Sequence, residues 1–399
     1  IFLLIIPFSF YLIRRFTLTR LDYLLISYVF LFLLNLVFHP QLTVGFEVIG
    51  TCYLFLMYFI FSRFFATQSN FNDLIRKAIV GWLIVTILIA ICGYIIYELG
   101  ISKKFVWEYE NYPYLGDVVR WRGATSSPGL LMSNISIALF FIQISDLKLK
   151  WKIGLTIAGL GVGAMTISKE FFICLAILFF IWGISFFYKK FPTRLSLAYG
   201  FGLIIFLVIT SFFVFIPNKF EGNLNYENDS VLGKDYLIQN EYLKVVPTAY
   251  YYLFQTATTL TRKHPFVGIG SGNLEKEIKI LKEQESYPKH IPTYESHDLY
   301  WGQLAELGIL YLFFLFFIFY GFIKVVRNKD NVLPKNYHLF FVAALIYMFT
   351  ESLGKGAKHF HHYWLVLALL NSFYLIARFK LYQQDSKNNS DLEIPSNQE

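Results

Sequence analysis

The chain has 399 residues, of which 56% are hydrophobic and 20% aromatic, while only 16% carry a formal charge. A soluble domain has about a quarter of its residues charged, so this composition excludes an ordinary soluble protein. The formal net charge of +8 does not indicate nucleic-acid binding, because the lysines and arginines are spread over short loops instead of one soluble face.

Apolar runs recur along the chain, and most are long enough to cross a membrane as helices. About 20 apolar residues span roughly 30 Å of hydrocarbon, and helices are required because unpaired backbone amides are costly in lipid. We therefore expect an all-α, polytopic transmembrane bundle of about eleven spans. The expected spans are Ile1–Ile13, Leu21–Phe38, Val44–Phe61, Ala78–Leu99, Leu130–Ile144, Ile153–Ile167, Phe171–Phe187, Leu197–Ile216, Leu299–Ile323, Leu339–Leu353 and Tyr363–Ala377.

The first apolar run begins at Ile1, with no methionine and no basic segment before it. A signal peptide would carry such a basic segment. We interpret this start as a truncation.

Basic residues mark alternate connections between the expected spans. Lys and Arg collect in short cytoplasmic loops, and six basic connections fall on one side if the spans alternate, whereas His39–Thr43 carries neither residue type. We therefore expect a multi-pass membrane protein whose other connections face outward. Those outward connections are residues 100–129, the turn Ser168–Glu170, residues 217–298 and Gly354–His362.

These expectations divide the chain into four parts. Residues 1–216 hold the N-terminal transmembrane helices together with outward loop 100–129. Residues 217–298 form a large, partly helical outer domain, and residues 299–381 hold the C-terminal helices. The polar tail 382–399 is expected to be disordered in the cytoplasm, because its composition cannot bury a core.

Within the outer domain, helical spacing predicts two helices, Tyr250–Lys263 and Asn273–Gln284. A turn with glycines at 268, 270 and 272 joins them. It superficially suggests nucleotide binding, but no parallel strand precedes it and ATP is scarce outside the cell. A backbone-amide anion site at the following helix start remains open.

Arg120 and Arg122 lie on an outward loop directly before a span. Two guanidinium groups at a membrane entrance suit a diphosphate or carboxylate, because each offers paired donors and keeps its charge. The alternative is that they extend to lipid headgroups. Lys169 lies in the short turn Ser168–Glu170 and is placed to face the same cavity.

His297 precedes Asp298 at the outer end of an expected span. Imidazole suits proton transfer near neutral pH, and a neighbouring carboxylate can orient it. The simpler interpretation is a histidine that caps a helix. Glu306, two turns further on, is expensive in lipid and must face protein or water.

Metal and disulfide chemistry find little support in the sequence. The three cysteines, Cys52, Cys92 and Cys174, all fall in expected spans. Histidines cluster in the last outward loop, but their spacing is loose and neither Cys nor carboxylate completes a ligand set. A cationic patch near lipid phosphates is the plainer interpretation, and we expect neither metal nor cofactor. The loop residues concerned are Lys355, Lys358, His359, His361 and His362.

Four motifs, in order, resemble signatures of the O-antigen ligase and O-antigen polymerase family. They depart from that family in having Gly129 and Asp298 where Asn is usual, and Lys169 where Arg is usual. The motifs are Arg120-x-x-Gly123 followed by Pro128, Thr166-x-Ser168-Lys169, His264-Pro265-x-x-Gly268-x-Gly270-x-Gly272-Asn273, and His297-Asp298-x-Tyr300 through Glu306-x-Gly308.

This resemblance implies a multi-pass protein of the bacterial cytoplasmic (inner) membrane with its large loop facing the periplasm or exterior. It further implies a membrane glycosyltransferase that moves a glycan from undecaprenyl diphosphate to a sugar hydroxyl on the outer face of that membrane. By analogy, His297 assists the acceptor hydroxyl, and Arg120 with Arg122 holds the departing diphosphate. The family's further arginine, before its His-Pro turn, is absent here, so Lys244 or Arg262 would have to substitute.

The resemblance leaves polymerase and ligase open, and we lean to polymerase of repeat units because ligation to a lipid A-core acceptor is the narrower role. Expected partners are the lipid-linked donor, a glycan or lipid A-core acceptor, membrane lipids and other polysaccharide-assembly proteins, without nucleic acid. A transporter or flippase of lipid-linked glycan is the rival class, and it predicts ionisable groups in the middle of the membrane. A non-catalytic assembly scaffold is the third alternative.

Overall fold

The computed structural model describes residues 18–68, 70–112, 116–188, 192–217, 237–284, 287, 299–328, 331–353 and 360–392. These residues are mostly helical. The helices are α1 (Arg20–Phe38), α2 (Leu42–Thr67), α3 (Phe71–Glu98), α4 (Pro128–Ile144), α5 (Leu149–Ala164), α6 (Lys169–Phe187), α7 (Thr193–Phe212), α8 (Ala249–Lys263), α9 (Leu274–Glu283), α10 (Trp301–Leu307), α11 (Leu310–Arg327), α12 (Lys335–Glu351) and α13 (His361–Leu392). The strands are β1 (Val106–Tyr112), β2 (Gly116–Trp121), β3 (Phe213–Pro217), β4 (Ile238–Gln239) and β5 (Leu243–Pro247).

Six of the described helices are long and apolar enough to cross a membrane. This confirms the expectation of a mostly helical protein with several helices of membrane-spanning length, whereas the number of spans stays a prediction. The helices expected over Tyr250–Lys263 and Asn273–Gln284 are also present, as α8 and α9. The six candidate spans are α1, α2, α3, α6, α7 and α11.

The helix expected over Leu299–Ile323 is broken at Gly308. α10 ends at Leu307 and α11 begins at Leu310. Gly308 has a φ of +75°, a conformation that ends helices and that favours glycine. The carbonyl of Phe266 occupies the place that a Cβ at Gly308 would take. The helix is therefore broken where it contacts the segment between α8 and α9, which we call the outer segment because it is expected to face outward.

Two small antiparallel sheets, which were not predicted from the sequence, supplement the helices of this mostly helical structure. The span expected over Leu197–Ile216 ends at Phe212, and the following residues form β3, which pairs with β5 from Phe213↔Pro247 to Pro217↔Leu243. β1 and β2 form a hairpin in outward loop 100–129. Aromatic and β-branched residues dominate these stretches and favour extended backbone over helix.

The last helix is longer than the expected span Tyr363–Ala377. α13 continues to Leu392, into the polar tail for which the composition predicts disorder. A helix already nucleated in the bundle gains one hydrogen bond for each further residue, so it can extend through residues that would not start a helix.

Contacts define two ends of the helical bundle. At the Asp22 end, Asp22 of α1 accepts hydrogen bonds from Arg63 of α2 and Asn371 of α13. At the Arg120 end, β2 meets the turn between α5 and α6, and the Leu299 amide donates to the Ser352 carbonyl. Arg63 and Arg378 both lie at the Asp22 end, where Arg378 donates to the Leu18 carbonyl.

Candidate functional site

The β1–β2 hairpin carries Arg120 and is fastened to the turn between α5 and α6. The Arg120 Nε donates to the Thr166 carbonyl at 2.9 Å, and the Trp121 amide donates to the Met165 carbonyl at 3.0 Å. On the other face of β2, the Trp121 ring stacks on Tyr94 with centroids 4.6 Å apart. These contacts fix the position of β2 and therefore the backbone position of Arg120.

Lys169 follows the same turn as the first residue of α6. Its ammonium lies 4.5 Å from the centre of the Tyr250 ring in α8, a cation–π distance. Arg120 and Lys169 are both half-buried. The structure thus brings two predicted cations to one turn at the Arg120 end, where they can attract an anion.

Trp107 is a residue that the sequence interpretation missed. It pairs directly with Arg120 across the hairpin, so the two side chains leave the same face with Cβ atoms about 5 Å apart. The indole is 45% exposed. Alternation in Val106–Tyr112 and Gly116–Trp121 would have revealed this pair, had the loop been interpreted as a hairpin.

Arg122 lies just beyond β2 and braces the loop before α4. Its Nε donates to the Lys104 carbonyl at 2.9 Å, and its amide donates to the Phe105 carbonyl at 3.1 Å. The residue is half-buried beside the hairpin. These hydrogen bonds hold the loop between β2 and α4 in place next to Arg120.

A buried carboxylate cluster lies at the same end of the bundle. Glu351, the last residue of α12, accepts hydrogen bonds from Ser133 and Tyr363 and is fully buried. Glu170, next to Lys169, is 2% exposed. Both Glu170 and Glu351 interact electrostatically with Tyr363. The sequence interpretation missed Glu351, although a carboxylate closing an apolar run is a signal, since such groups must face protein or water.

The glycine turn docks onto α10. The amides of Ile269 and Gly270 donate to the carbonyls of Ala305 and Glu306 at 3.0 and 3.1 Å. These carbonyls end a helix and have no partner within it. The amides of Ile269 and Gly270 are therefore engaged by protein, while the anion site at the start of α9 stays a prediction.

Glu306 serves this junction. It is fully buried, its carboxylate accepts from the Gln303 side-chain amide at 3.0 Å, and its carbonyl also accepts from Asn35 at 3.2 Å. Asn35 in turn accepts from the Ser271 amide at 2.7 Å. The geometry gives Glu306 a role in joining the outer segment to α1, alongside the substrate role that we predicted.

The two predicted substitutes for the missing arginine are on β5 and α8. Lys244 is buried in β5 and pairs in register with Ile216 and Gln239. Arg262 is exposed in the last turn of α8. It is twelve residues from Tyr250, which corresponds to about 18 Å along a helix axis. Arg262 therefore does not join Arg120 and Lys169 at the turn.

His297 and Asp298 lie outside the described residues, as do Lys355, Lys358 and His359. Within the described ranges, no group of three or more His, Cys, Asp or Glu side chains is arranged to hold a metal ion. Leu299, the described residue that follows Asp298 in the chain, donates its amide hydrogen to the Ser352 carbonyl at the Arg120 end.

Comparison with known proteins adds no assignment. No protein-family model matches the chain, and no curated protein matches it. The resemblance to the O-antigen ligase and polymerase family therefore rests on the four motifs, and function has to be argued from the residues at the Arg120 end.

Proposed function

We propose that this protein is a membrane glycosyltransferase that moves a glycan from undecaprenyl diphosphate to a sugar hydroxyl at the outer face of the cytoplasmic membrane. The observation that carries the proposal is the convergence of Arg120 and Lys169 on the turn between α5 and α6. The two residues come from separate segments and lie beside the same turn, at one end of a bundle in which six of the described helices are of membrane length. Such a site suits the diphosphate of a lipid carrier.

In the proposed reaction, the bond between the anomeric carbon and the diphosphate oxygen breaks. The acceptor hydroxyl oxygen forms the new bond to that carbon, and its proton passes to His297. The electron pair of the broken bond stays on undecaprenyl diphosphate, where Arg120 and Lys169 stabilise the negative charge. A diphosphate is a good leaving group, so charge stabilisation and positioning supply most of the catalysis.

The distribution of charge in the candidate spans favours this enzyme over a transporter. Every Asp, Glu, Lys and Arg in the six candidate spans lies in the first or last two turns of its helix. A pathway for a charged substrate through the membrane would place ionisable groups near the middle of the spans. Among the described residues, the polar chemistry is concentrated at the ends.

The test is transfer by the purified protein in lipid, supplied with a lipid-linked oligosaccharide and a matching acceptor. We expect product without added nucleotide, and a loss of about 100-fold or more with His297→Ala or Arg120→Gln. Lys152→Gln, at a residue whose ammonium bonds the Gln143 carbonyl, should transfer at the wild-type rate.

Two outcomes would contradict the proposal. Full-rate transfer by His297→Ala would remove the catalytic role of His297, and with it the proposed proton transfer. ATP-dependent movement of the lipid-linked oligosaccharide between leaflets, without a new glycosidic bond, would favour a transporter. If transfer occurs, the product length separates polymerase, which lengthens the glycan by repeat units, from ligase, which attaches it to a lipid A-core acceptor.

A further inference from the structure

A cavity of about 420 Å³ lies between α8 and the end of α9. This volume falls in the range of small-ligand sites, which is about 300 to 1,000 Å³. Its most informative lining residues are Tyr252, Gln255, Thr259, Arg262, Lys263 and Tyr287.

The cavity favours anions. Arg262 and Lys263 are both exposed at its edge, and none of the described lining residues is acidic. A third cation, Lys282, lies 5.7 Å from the centre of the Tyr287 ring. Basic residues in a last helical turn also complement the helix dipole, but that role requires neither a cavity nor aromatic walls.

The walls suit a sugar. The rings of Tyr252 and Tyr287 meet edge to face with centroids 6.3 Å apart, which provides a rigid apolar surface with polar tips. Gln255, Thr259 and Arg262 lie on one face of α8, because they are spaced four and three residues apart. A saccharide offers both C–H faces for the rings and hydroxyls for these polar groups.

The charged edge of the cavity lies away from the turn that holds Arg120 and Lys169, whereas Tyr252, at its other edge, is two residues from Tyr250. Tyr250, which contacts Lys169, and Arg262 are about 18 Å apart along α8. We propose that this cavity binds an acidic oligosaccharide, that is, the glycan part of a substrate or product at a distance from the diphosphate. The proposal rests on the proposed function for its biological meaning, while binding itself can be measured without transfer.

The experiment measures binding to the full chain in nanodiscs made of uncharged lipid, with tetragalacturonate as the acidic probe and maltotetraose as the neutral one. We expect tetragalacturonate to bind, and Arg262→Gln with Lys263→Gln to weaken it at least about tenfold, since charge-assisted hydrogen bonds are lost. Tyr252→Ala should weaken the same binding through lost ring contact. The control, Lys276→Gln with Lys279→Gln on the exposed face of α9, should bind like wild type.

Other results would overturn the proposal. Equal binding of tetragalacturonate by the Arg262 and Lys263 double variant and by wild type would place the ligand elsewhere. Inorganic phosphate or anionic lipid in the nanodiscs could also displace tetragalacturonate. Displacement by either competitor at a concentration equal to that of tetragalacturonate would indicate an anion or headgroup site without sugar recognition. Failure of the wild-type protein to bind tetragalacturonate while it still carries out transfer would refute this inference and leave the proposed function standing. Binding by His297→Ala with transfer lost would support a site separate from the catalytic step.

Discussion

Asp22 and Arg63, 41 residues apart in the chain, form a bidentate ion pair with both side chains fully buried. Tyr58 and Asn371 also donate to the Asp22 carboxylate. Removing one partner of such a pair leaves the other charge without compensation, so we expect Arg63→Met to lower the free energy of unfolding by about 3 to 5 kcal/mol. The measurement is thermal or denaturant unfolding in detergent micelles.

The matched comparison is an exposed pair near the same end of the bundle. Arg76 contacts Asp73 with both side chains more than a third exposed, so Arg76→Gln should change the free energy of unfolding by less than about 1 kcal/mol. Asp22→Asn combined with Arg63→Met should recover stability relative to Arg63→Met alone. A double variant less stable than the single variant would show that the pair is not the source of the effect.

Gly268 holds the outer segment against α10, and its replacement should loosen that junction. It has a φ of +68°, and a Cβ there would meet the Glu306 carbonyl. Left-handed backbone alone costs about 1 to 2 kcal/mol for alanine, so with the clash we expect Gly268→Ala to destabilise the protein and to speed proteolysis between α8 and α9. Gly321→Ala is the control, because nothing surrounds that helical position. Equal protease resistance in both variants would refute the docking role.

The sequence predicted the helices well because length and hydropathy determine which segments can span a membrane. α1 and α6 begin and end within two residues of the expected Leu21–Phe38 and Phe171–Phe187. Hydropathy cannot distinguish a helix face turned to lipid from one turned to protein, so it gave no sign that Asp22 meets Arg63. It also could not place the break at Gly308, which depends on the Phe266 carbonyl from a distant segment.

The candidate site was predictable only in part, for the same physical reason. Arg120 and Lys169 were recognisable from residue type and loop position, and the structure brings them to one turn. Their neighbours Trp107 and Glu351 were missed, because strand register and helix packing bring them there. Arg262 was assigned to the diphosphate by analogy, while the length of α8 places it in a different cavity.

Acid should loosen the hairpin that carries Arg120. Lys103 donates to Glu108 at 2.8 Å, and this hydrogen bond holds the pKa of Glu108 below its ordinary value. A carboxyl whose folded pKa is lowered stabilises the fold above its unfolded pKa of about 4.3, and the stabilisation is lost as the pH falls through the folded pKa. Fluorescence of the hairpin tryptophans should therefore change in acid in the wild type and much less in Glu108→Gln. An identical acid response in both proteins would refute the assignment.

Trp107 should contribute to recognition of the sugar next to the diphosphate. The indole is exposed and shares a hairpin face with Arg120. Ring contacts of this kind are worth about 0.5 to 1.5 kcal/mol, so Trp107→Ala should weaken binding of the lipid-linked glycan by roughly 2- to 10-fold. Binding of undecaprenyl diphosphate without sugar should stay unchanged. Trp151→Ala, at an exposed residue of α5, is the control, and equal losses for glycan and bare carrier would indicate a membrane anchor instead.

Arg120 and Lys169 should act together on the diphosphate. Each loses a charge-assisted interaction worth about 1.5 to 3 kcal/mol when neutralised, so Arg120→Gln or Lys169→Gln should weaken binding of undecaprenyl diphosphate by roughly 10- to 100-fold. Because both would contact one ligand, their effects should not simply add in the double variant.

Arg120→Lys separates charge from shape at this position. It keeps the charge but loses the planar fork, and the Arg120 Nε is already committed to the Thr166 carbonyl. We expect this variant to bind more weakly than wild type and more tightly than Arg120→Gln, measured in nanodiscs of uncharged lipid with undecaprenyl monophosphate for comparison. If Arg120→Gln and Lys169→Gln each bound both carriers as tightly as wild type, the diphosphate would not be held at the turn between α5 and α6. The mechanism proposed for the transfer would then be wrong.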